Sequence, residues 1–303
     1  MNARLKTGLA AAASLLIAAA APTQQPIPAP AAATPSRPMF KQKSMNVFRR
    51  FPIAQRGQMI AFYNQALGLQ PLTPINLQDG QEVILFRVGG GQIKLAPGDK
   101  PGRQYHLGGI NDATGIRRYT LFFPDEAALV ARFRAAGYPV PAFAEHSDGK
   151  RAAQVEDPAG FHLELVIAPD ATAATAGGVE VGINVSDLPR SRAFYRDFVG
   201  LEELPAVKDP ALGLTKYPFR NGETTISLWS VGGKLPADTG SAGIQYVIGN
   251  IHAVDASAKQ RNIAVETPLG GIPGFNVLTV WLNDPDGVTN YFYQAVPPKT
   301  AAR

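Results

Sequence analysis

The chain repeats a short helical motif. Residues 62–69 read FYNQALGL, and residues 194–201 read FYRDFVGL. In both copies Phe-Tyr stands five residues before a Gly-Leu pair, after a segment that aligns without gaps. Gly68 and Gly200 occupy the position where a left-handed residue ends a helix at low cost. The sequence therefore predicts two copies of one helix, each with an inward-facing Phe-Tyr pair.

A second repeated motif follows each copy. DPAG at 157–160 matches DPDG at 284–287, and each turn precedes a strand pattern, FHLELVI or VTNYFYQAV. Two motifs that recur in the same order indicate a tandem duplication. We predict one domain over residues 45–168 and another over 179–296. The small and polar residues 169–178 are typical of a linker.

Each half divides again into two units. Residues 119–140 read strand, helix and strand entry, and residues 244–265 repeat that order. The helix at 125–137 has apolar residues close to a 3.6-residue period. The pattern predicts an α+β fold made of four strand–helix–strand units. These units lie near 45–98, 115–168, 179–232 and 242–295.

Composition excludes several classes of protein. The 303 residues include 29 Lys+Arg, 24 Asp+Glu and no cysteine, for a formal net charge of +5. The absence of cysteine excludes disulfides, zinc ribbons and a thiol nucleophile. Basic residues form no run longer than two and do not interleave with aromatic residues, which argues against a nucleic-acid partner.

The N-terminal region predicts export. Residues 1–21 combine Arg4 and Lys6 with an uncharged apolar run, as in a secretory signal peptide. An uncleaved anchor is the alternative, but no second long apolar run predicts a membrane span after cleavage. Residues 22–44 are expected to form a disordered Pro/Ala-rich tether, and residues 297–303 a short tail. The mature protein is expected to be periplasmic or secreted.

These motifs resemble those of the vicinal oxygen chelate (VOC) superfamily. The most specific stretch is SDLPRSRAFYRDFVGL at 186–201, and the closing DPDG strand supports it. The superfamily includes glyoxalase I, extradiol dioxygenases and bleomycin-resistance proteins. The resemblance implies two tandem domains, each a pair of βαβββ units that form a curled sheet around a concave cleft.

The resemblance also implies four metal-ligand positions in each cleft. In the first domain they fall at Phe48, Lys94, Arg118 and Glu164. In the second domain they fall at Glu180, Ser227, Gly243 and Tyr291. Divalent metals bind to several carboxylate or imidazole donors. Both sets depart from that chemistry, so we expect no metal cofactor, and we expect Glu164 to pair with Arg118 or Lys94.

Several of these residues are candidates for chemistry or ligand binding. His162 and Glu164 share one strand face, where they could act as a base and its partner or as partial metal ligands. The alternative for His162 is an ordinary hydrogen bond at the cleft rim. Glu180 is predicted either to face a ligand or to pair with a neighbouring cation. The candidate substrate-binding residues are Lys94, Arg118, Ser227, Trp229, Gln245 and Tyr291.

The resulting hypothesis is recognition of a small organic molecule, aromatic or anionic, without a metal. The protein could be a binding protein or a metal-independent enzyme. A metal-dependent lyase, isomerase or dioxygenase of the glyoxalase or extradiol type, with Fe, Mn, Ni or Zn, is the alternative. A third hypothesis makes one domain purely structural. We expect a monomer or a homodimer.

Overall fold

The computed structural model describes residues 37–78, 80–145, 149–169 and 178–297. The expected signal peptide, most of the tether, most of the linker and most of the tail lie outside the described residues. The described helices are all too short or too polar to cross a membrane.

Strands dominate the structure. In chain order they are β1 (Asn46–Phe51), β2 (Pro71–Asn76), β3 (Glu82–Val88), β4 (Gly91–Pro97), β5 (Gly115–Phe123), β6 (Ala144–Glu145), β7 (Arg151–Glu156), β8 (His162–Ile167), β9 (Val179–Asn184), β10 (Glu202–Glu203), β11 (Val207–Asp209), β12 (Leu214–Asn221), β13 (Thr224–Trp229), β14 (Ala242–Val247), β15 (Val265–Gly271), β16 (Val277–Asn283) and β17 (Thr289–Ala295).

One helix follows the first strand of each unit. The helices are α1 (Arg56–Ala61), which follows a 3₁₀ turn at Ile53–Gln55 and continues as a π-helical segment at Phe62–Ala66, α2 (Glu126–Ala135), α3 (Leu188–Ala193), which continues as a π-helical segment at Phe194–Val199, and α4 (Ile251–Gln260). The carboxylate of Asp187 caps α3 by accepting from Arg190 N at 3.0 Å. Gly200 ends the helical segment with φ at 83°, as the repeat predicted.

The strands form two sheets. The first sheet has the order β15-β16-β17-β14-β1-β4-β3-β2, and the second has the order β10-β12-β13-β9-β5-β8-β7-β6, with β11 paired to β12. In each sheet two βαβββ-type units meet at the antiparallel contact of their first strands, β1 with β14 and β5 with β9. The predicted α+β class and the curled sheets made of paired units are confirmed.

The units that pair, however, come from different halves of the chain. The first sheet joins the first unit to the fourth, and the second sheet joins the second unit to the third. The expectation that each cleft would form within one half is therefore wrong. All four units have the same strand pattern, so the repeat alone does not specify which units pair.

Contacts between helical segments and neighbouring units hold each half together. The Phe62 ring of the first unit lies 5.8 Å from the Phe133 ring of α2, centroid to centroid. In the other half, Phe198 lies 6.1 Å from Phe292 of β17. One hydrophobic core runs through both halves. The helical segments therefore pack within their own half, whereas each sheet combines strands from both halves.

The described end of the predicted tether is not free. Phe40 forms an isolated bridge with Ile248, and Lys41 N donates to Val247 O at 2.9 Å. Ser44 is buried. Residues 39–44 therefore belong to the folded part of the chain, because their backbone groups extend the first sheet at Val247–Ile248.

Candidate functional site

The first sheet carries an open cavity on its concave face. Its volume is about 480 Å³, within the range of small-molecule pockets. The lining side chains come from both units of the sheet and are largely aliphatic or aromatic. The aromatic residues among them are Phe48, Phe275, Trp281, Tyr291 and Tyr293. Two of the rings, Trp281 and Tyr291, lie 4.8 Å apart.

Lys94 lies on this concave face, near the middle of the sheet. In the strand register it stands between Leu85 on one side and Phe48 on the other. Within the described part of the chain, no hydrogen bond or ion pair holds its Nζ. Burial in these apolar surroundings lowers the pKa of Lys94 to about 8.

A second cation, Arg50, faces the same cavity. It follows Phe48 by two residues, so both side chains lie on one face of β1. Its Nη1 donates to Gly98 O at 3.2 Å, and burial lowers the pKa of Arg50. The lining of the cavity contains no aspartate or glutamate. Arg50 was not among the residues predicted from the sequence, although the alternation along β1 was a signal that could have identified it.

Two of the predicted metal-ligand positions of this sheet hold Phe48 and Gly243, and the phenyl ring lies over the glycine. Phe48 and Gly243 are neighbours across the central strand pair. A Cβ added at Gly243 would overlap the ring of Phe48. The remaining two positions hold Lys94 and Tyr291. Gln245, another predicted binding residue, accepts from Asn46 Nδ2 at 2.8 Å, and it lines the cavity too.

The concave face of the second sheet is filled by charged side chains. Arg118 Nη2 lies 2.6 Å from Asp209 Oδ2 and 3.4 Å from Glu164 Oε2. Glu164 also accepts from Thr120 Oγ1 and from Gln154 Nε2, each at 2.8 Å. The predicted pairing of Glu164 with Arg118 is confirmed. Arg118 and Lys94 were expected in one cleft, but they lie on different sheets.

A second ion pair extends this cluster. Lys216 Nζ lies 2.7 Å from Glu180 Oε1 and 3.3 Å from Asp209 Oδ2. Of the two roles predicted for Glu180, the structure therefore supports pairing with a neighbouring cation. Asp209 was not predicted as a site residue. It lies on β11, which is outside the repeated strand pattern and pairs only with β12.

The charges in this cluster stabilise one another. Burial opposes the charge of Arg118, but Glu164 and Asp209 raise its pKa above the ordinary value. Burial likewise opposes the charge of Asp209, yet Arg118 and Lys216 hold the pKa of Asp209 below its usual range. Arg118 and Asp209 therefore stay ionised and paired at neutral pH.

Trp229 and Ser227 also lie on the second sheet, and both are buried. The Trp229 ring packs on Gly182, where an added Cβ would lie 2.8 Å from the ring, and its Nε1 donates to Asn111 Oδ1 at 3.1 Å. Ser227 is fully buried. Both were expected beside Tyr291 in one ligand cleft, whereas Tyr291 and Gln245 lie in the first sheet.

His162 is the first residue of β8, an interior strand of the second sheet. Its Nε2 is 2.7 Å from Gly108 O, and its Nδ1 is 3.6 Å from Glu156 Oε1. Glu164 instead bonds to Thr120, Gln154 and Arg118. This geometry matches the predicted alternative of a hydrogen bond at the rim.

The side chains present do not fit a divalent metal. The first concave face offers a lysine, a phenol, a phenyl ring and a glycine at the four positions. In the second, Glu164 and Glu180 already accept from cations or donors, and Arg118 would repel a metal ion. Within the described ranges, no three His, Asp or Glu side chains converge as a metal site.

Comparison with known proteins identifies the family. A sequence profile of the family described as the Glyoxalase/Bleomycin resistance protein/Dioxygenase superfamily matches residues 55–165 and 178–292. The two matches correspond to the two halves inferred from the internal repeat. No curated protein matches the chain.

Solved structures share the fold at low sequence identity. Glyoxalase I from Zea mays is 19% identical, with a TM-score of 0.66 over 83% of this chain and 92% of that chain. A putative dioxygenase from Bacillus subtilis is 16% identical, with a TM-score of 0.61 over 85% of this chain and 87% of that chain. With its two profile matches and its two sheets of paired units, the chain belongs to the Glyoxalase/Bleomycin resistance protein/Dioxygenase superfamily.

Proposed function

We propose that the protein binds a small organic anion with an aromatic body in the cavity of the first sheet. One observation carries this proposal: the cavity is lined by two cations and several aromatic rings, and by no acidic residue. A cleft with one sign of charge and apolar walls attracts a ligand of the opposite charge.

The amine of Lys94, which has no partner among the described residues, supports the choice of an anion. A buried charge without a partner costs free energy, and here burial acts on Lys94 without an opposing carboxylate. A carboxylate in the cavity would supply the missing partner for Lys94 and would lie beside the guanidinium of Arg50. Charge-assisted hydrogen bonds of this kind are about twice as strong as neutral ones.

The walls support an aromatic body. Trp281, Tyr291 and Phe48 offer ring faces and edges, and Leu85 and Val277 offer aliphatic surface. Stacking between rings contributes about 0.5–1.5 kcal/mol beyond the burial of area. The cavity volume suits a ligand with one or two rings.

The second concave face has a structural role in this proposal. Arg118 and Lys216 form ion pairs there with three carboxylates, and Trp229 covers Gly182. Ligand binding therefore occurs in one of the two sheets. This differs from the hypothesis that one domain is purely structural, because each sheet takes one unit from each half of the chain.

A matched pair of ligands tests the proposal. Phenylacetate should raise the melting temperature of the protein, and the uncharged phenylacetamide should do so much less, since both have the same ring. Lys94→Met should weaken phenylacetate binding about tenfold or more in calorimetry, because it removes a charged donor. The control Lys208→Met changes an exposed lysine of β11 and should bind as the wild type does. Equal binding of the acid and the amide would contradict the proposal.

We also propose that residues 1–21 direct export, so that the mature protein is periplasmic or secreted. The basic residues Arg4 and Lys6, followed by an uncharged apolar run, support this. Fractionation of expressing cells, with N-terminal sequencing of the product, tests it. A product that keeps its first residues and stays in the cytoplasm would contradict it.

A further inference from the structure

The amine of Lys94 differs from the other lysine near the cavity. Lys100 forms an ion pair with Glu266 and lies 4.0 Å from the centre of the Trp281 ring, which lines the cavity. Lys94 has neither kind of partner within the described residues and stands between Leu85 and Phe48. An amine in apolar surroundings without a carboxylate is the usual setting of a nucleophilic lysine.

The groups that line the cavity around Lys94 include no carboxylate that would stabilise its charged form. From β1 the charged neighbour is Arg50, and from β17 the titratable neighbours are Tyr291 and Tyr293. β3 contributes the apolar side chains Val83 and Leu85 to the cavity. Burial lowers the pKa of Lys94, and no carboxylate of the cavity lining opposes this effect.

We infer that Lys94 Nζ forms a reversible imine with the carbonyl carbon of an aromatic oxo acid whose carboxylate is bound by Arg50. This inference rests on the proposed function, since it places a reactive carbonyl in the same cavity. The neutral amine attacks the carbonyl carbon, and proton transfer from nitrogen to oxygen gives a carbinolamine. Loss of water then leaves a carbon–nitrogen double bond, with no oxidant or reductant required.

The positions of the two cations favour two-point binding. In the register, Phe48 is the partner of Lys94 and Arg50 is the partner of Ala96, so Arg50 stands diagonally from Lys94 on one face. Parallel strands lie about 4.8 Å apart and rise about 3.3 Å per residue, so such diagonal neighbours are about 8 Å apart at Cα, within reach of long side chains. A carboxylate at Arg50 would place a nearby carbonyl beside Lys94.

The protonation equilibrium of Lys94 makes this chemistry accessible at neutral pH. Because its pKa is about 8 instead of 10.5, the neutral fraction near neutrality is about two orders of magnitude larger than for an exposed lysine. The rate of imine formation should therefore rise with pH up to about 8 and level off above it.

Reductive trapping tests the inference on the full chain. The protein is incubated with phenylpyruvate and cyanoborohydride, and the adduct is located by peptide mass spectrometry. We expect one adduct per chain, on Lys94. Phenyllactate has a hydroxyl in place of the carbonyl and should bind without forming an adduct. Lys94→Arg should lose the adduct, and the control Lys100→Arg should keep it.

The outcomes separate this inference from the proposed function. If phenyllactate binds but phenylpyruvate leaves Lys94 unmodified, the imine is refuted and anion binding stands. If neither acid binds, the proposed function fails as well. Adducts spread over many lysines of the wild type, with no preference for Lys94, would also overturn the inference. That result is read on the wild type and does not depend on whether a variant folds.

Discussion

At the residue scale, Arg118 shows how this chain stabilises a face that could otherwise bind a ligand. Its side chain is 1% exposed and contacts both Asp209 and Glu164. Arg118 was predicted from its strand position, but Asp209 was not, because it reaches the cluster from a short strand outside the repeat. A sequence pattern identifies residues along one strand and does not reveal partners brought in by an irregular connection.

Arg118→Met should destabilise the protein by about 3–5 kcal/mol, since it leaves Asp209 and Glu164 buried with one fewer cation. Urea denaturation measures the change. Arg220→Ala is the matched control, because its pair with Glu202 is exposed and should contribute about 1 kcal/mol or less. Phenylacetate binding should survive in Arg118→Met if the protein remains folded. A stability equal to that of the wild type would contradict the role of this cluster.

At the element scale, the central strand pair of the first sheet depends on a glycine. β1 and β14 bring Phe48 and Gly243 side by side, and the ring occupies the space above the glycine. The repeat placed both residues on first strands of their units. It could not show that they touch, because that requires knowing that the first unit pairs with the fourth.

Gly243→Ala should therefore destabilise the protein by about 1–3 kcal/mol through overpacking against Phe48. Adding Phe48→Leu to the Gly243→Ala variant should recover part of that loss, since the smaller side chain leaves room for the methyl group. Thermal denaturation of the two single variants and the double variant gives the coupling energy. Strict additivity of the two effects would show that the ring and the glycine are independent.

The aspartates of the two repeated turns have different surroundings. In both, the aspartate accepts from the Phe-Tyr tyrosine: Tyr63 donates to Asp157 at 3.3 Å, and Tyr195 donates to Asp284 at 3.0 Å. Asp157 also contacts Arg49 at 3.2 Å, as a buried ion pair. For Asp284, burial raises the pKa to about 7. The sequence predicted both turns but not that Arg49 contacts the aspartate of the first turn alone.

Asp284 should make stability depend on pH. Between its ordinary pKa of 3.8 and its folded value of about 7, the folded state holds a proton that the unfolded state releases. Its contribution to the free energy of unfolding therefore falls as pH rises from about 4 to about 7, and is constant above that. Asp284→Asn should remove this slope in urea denaturation at pH 5 and pH 8. The matched variant Asp157→Asn lacks the partner of Arg49 and should lose stability at both values. An unchanged slope in Asp284→Asn would contradict the assignment.

At the scale of the whole molecule, each sheet combines one unit from the first half of the chain with one unit from the second half. The sequence was sufficient to predict four units, their helices and their closing turns, because each rests on local periodicity and turn chemistry. The partner of each unit is decided by contacts far apart in sequence. Lys94 and Tyr291, assigned to different clefts by the repeat, consequently line one cavity, and Arg118 lies away from both.

Because each sheet needs strands from both halves, we predict that neither half folds alone as a monomer. Residues 45–168 would expose the edge of β1 that pairs with β14 and the edge of β5 that pairs with β9. The two halves, residues 37–169 and 178–297, should instead associate when they are produced together. Co-purification through a tag on one half, followed by thermal denaturation, measures this.

The assembled halves should bind phenylacetate, since the cavity takes residues from both. Each half alone should be unfolded or should pair with a second copy of itself, because a copy offers the same kind of strand edge. A single half that behaves as a folded monomer with its own cooperative transition would show that the sheets do not need both halves. In that case the cavity around Lys94 could not be the product of cross-half pairing, and the assignment of Tyr291 and Trp281 to its wall would have to be abandoned.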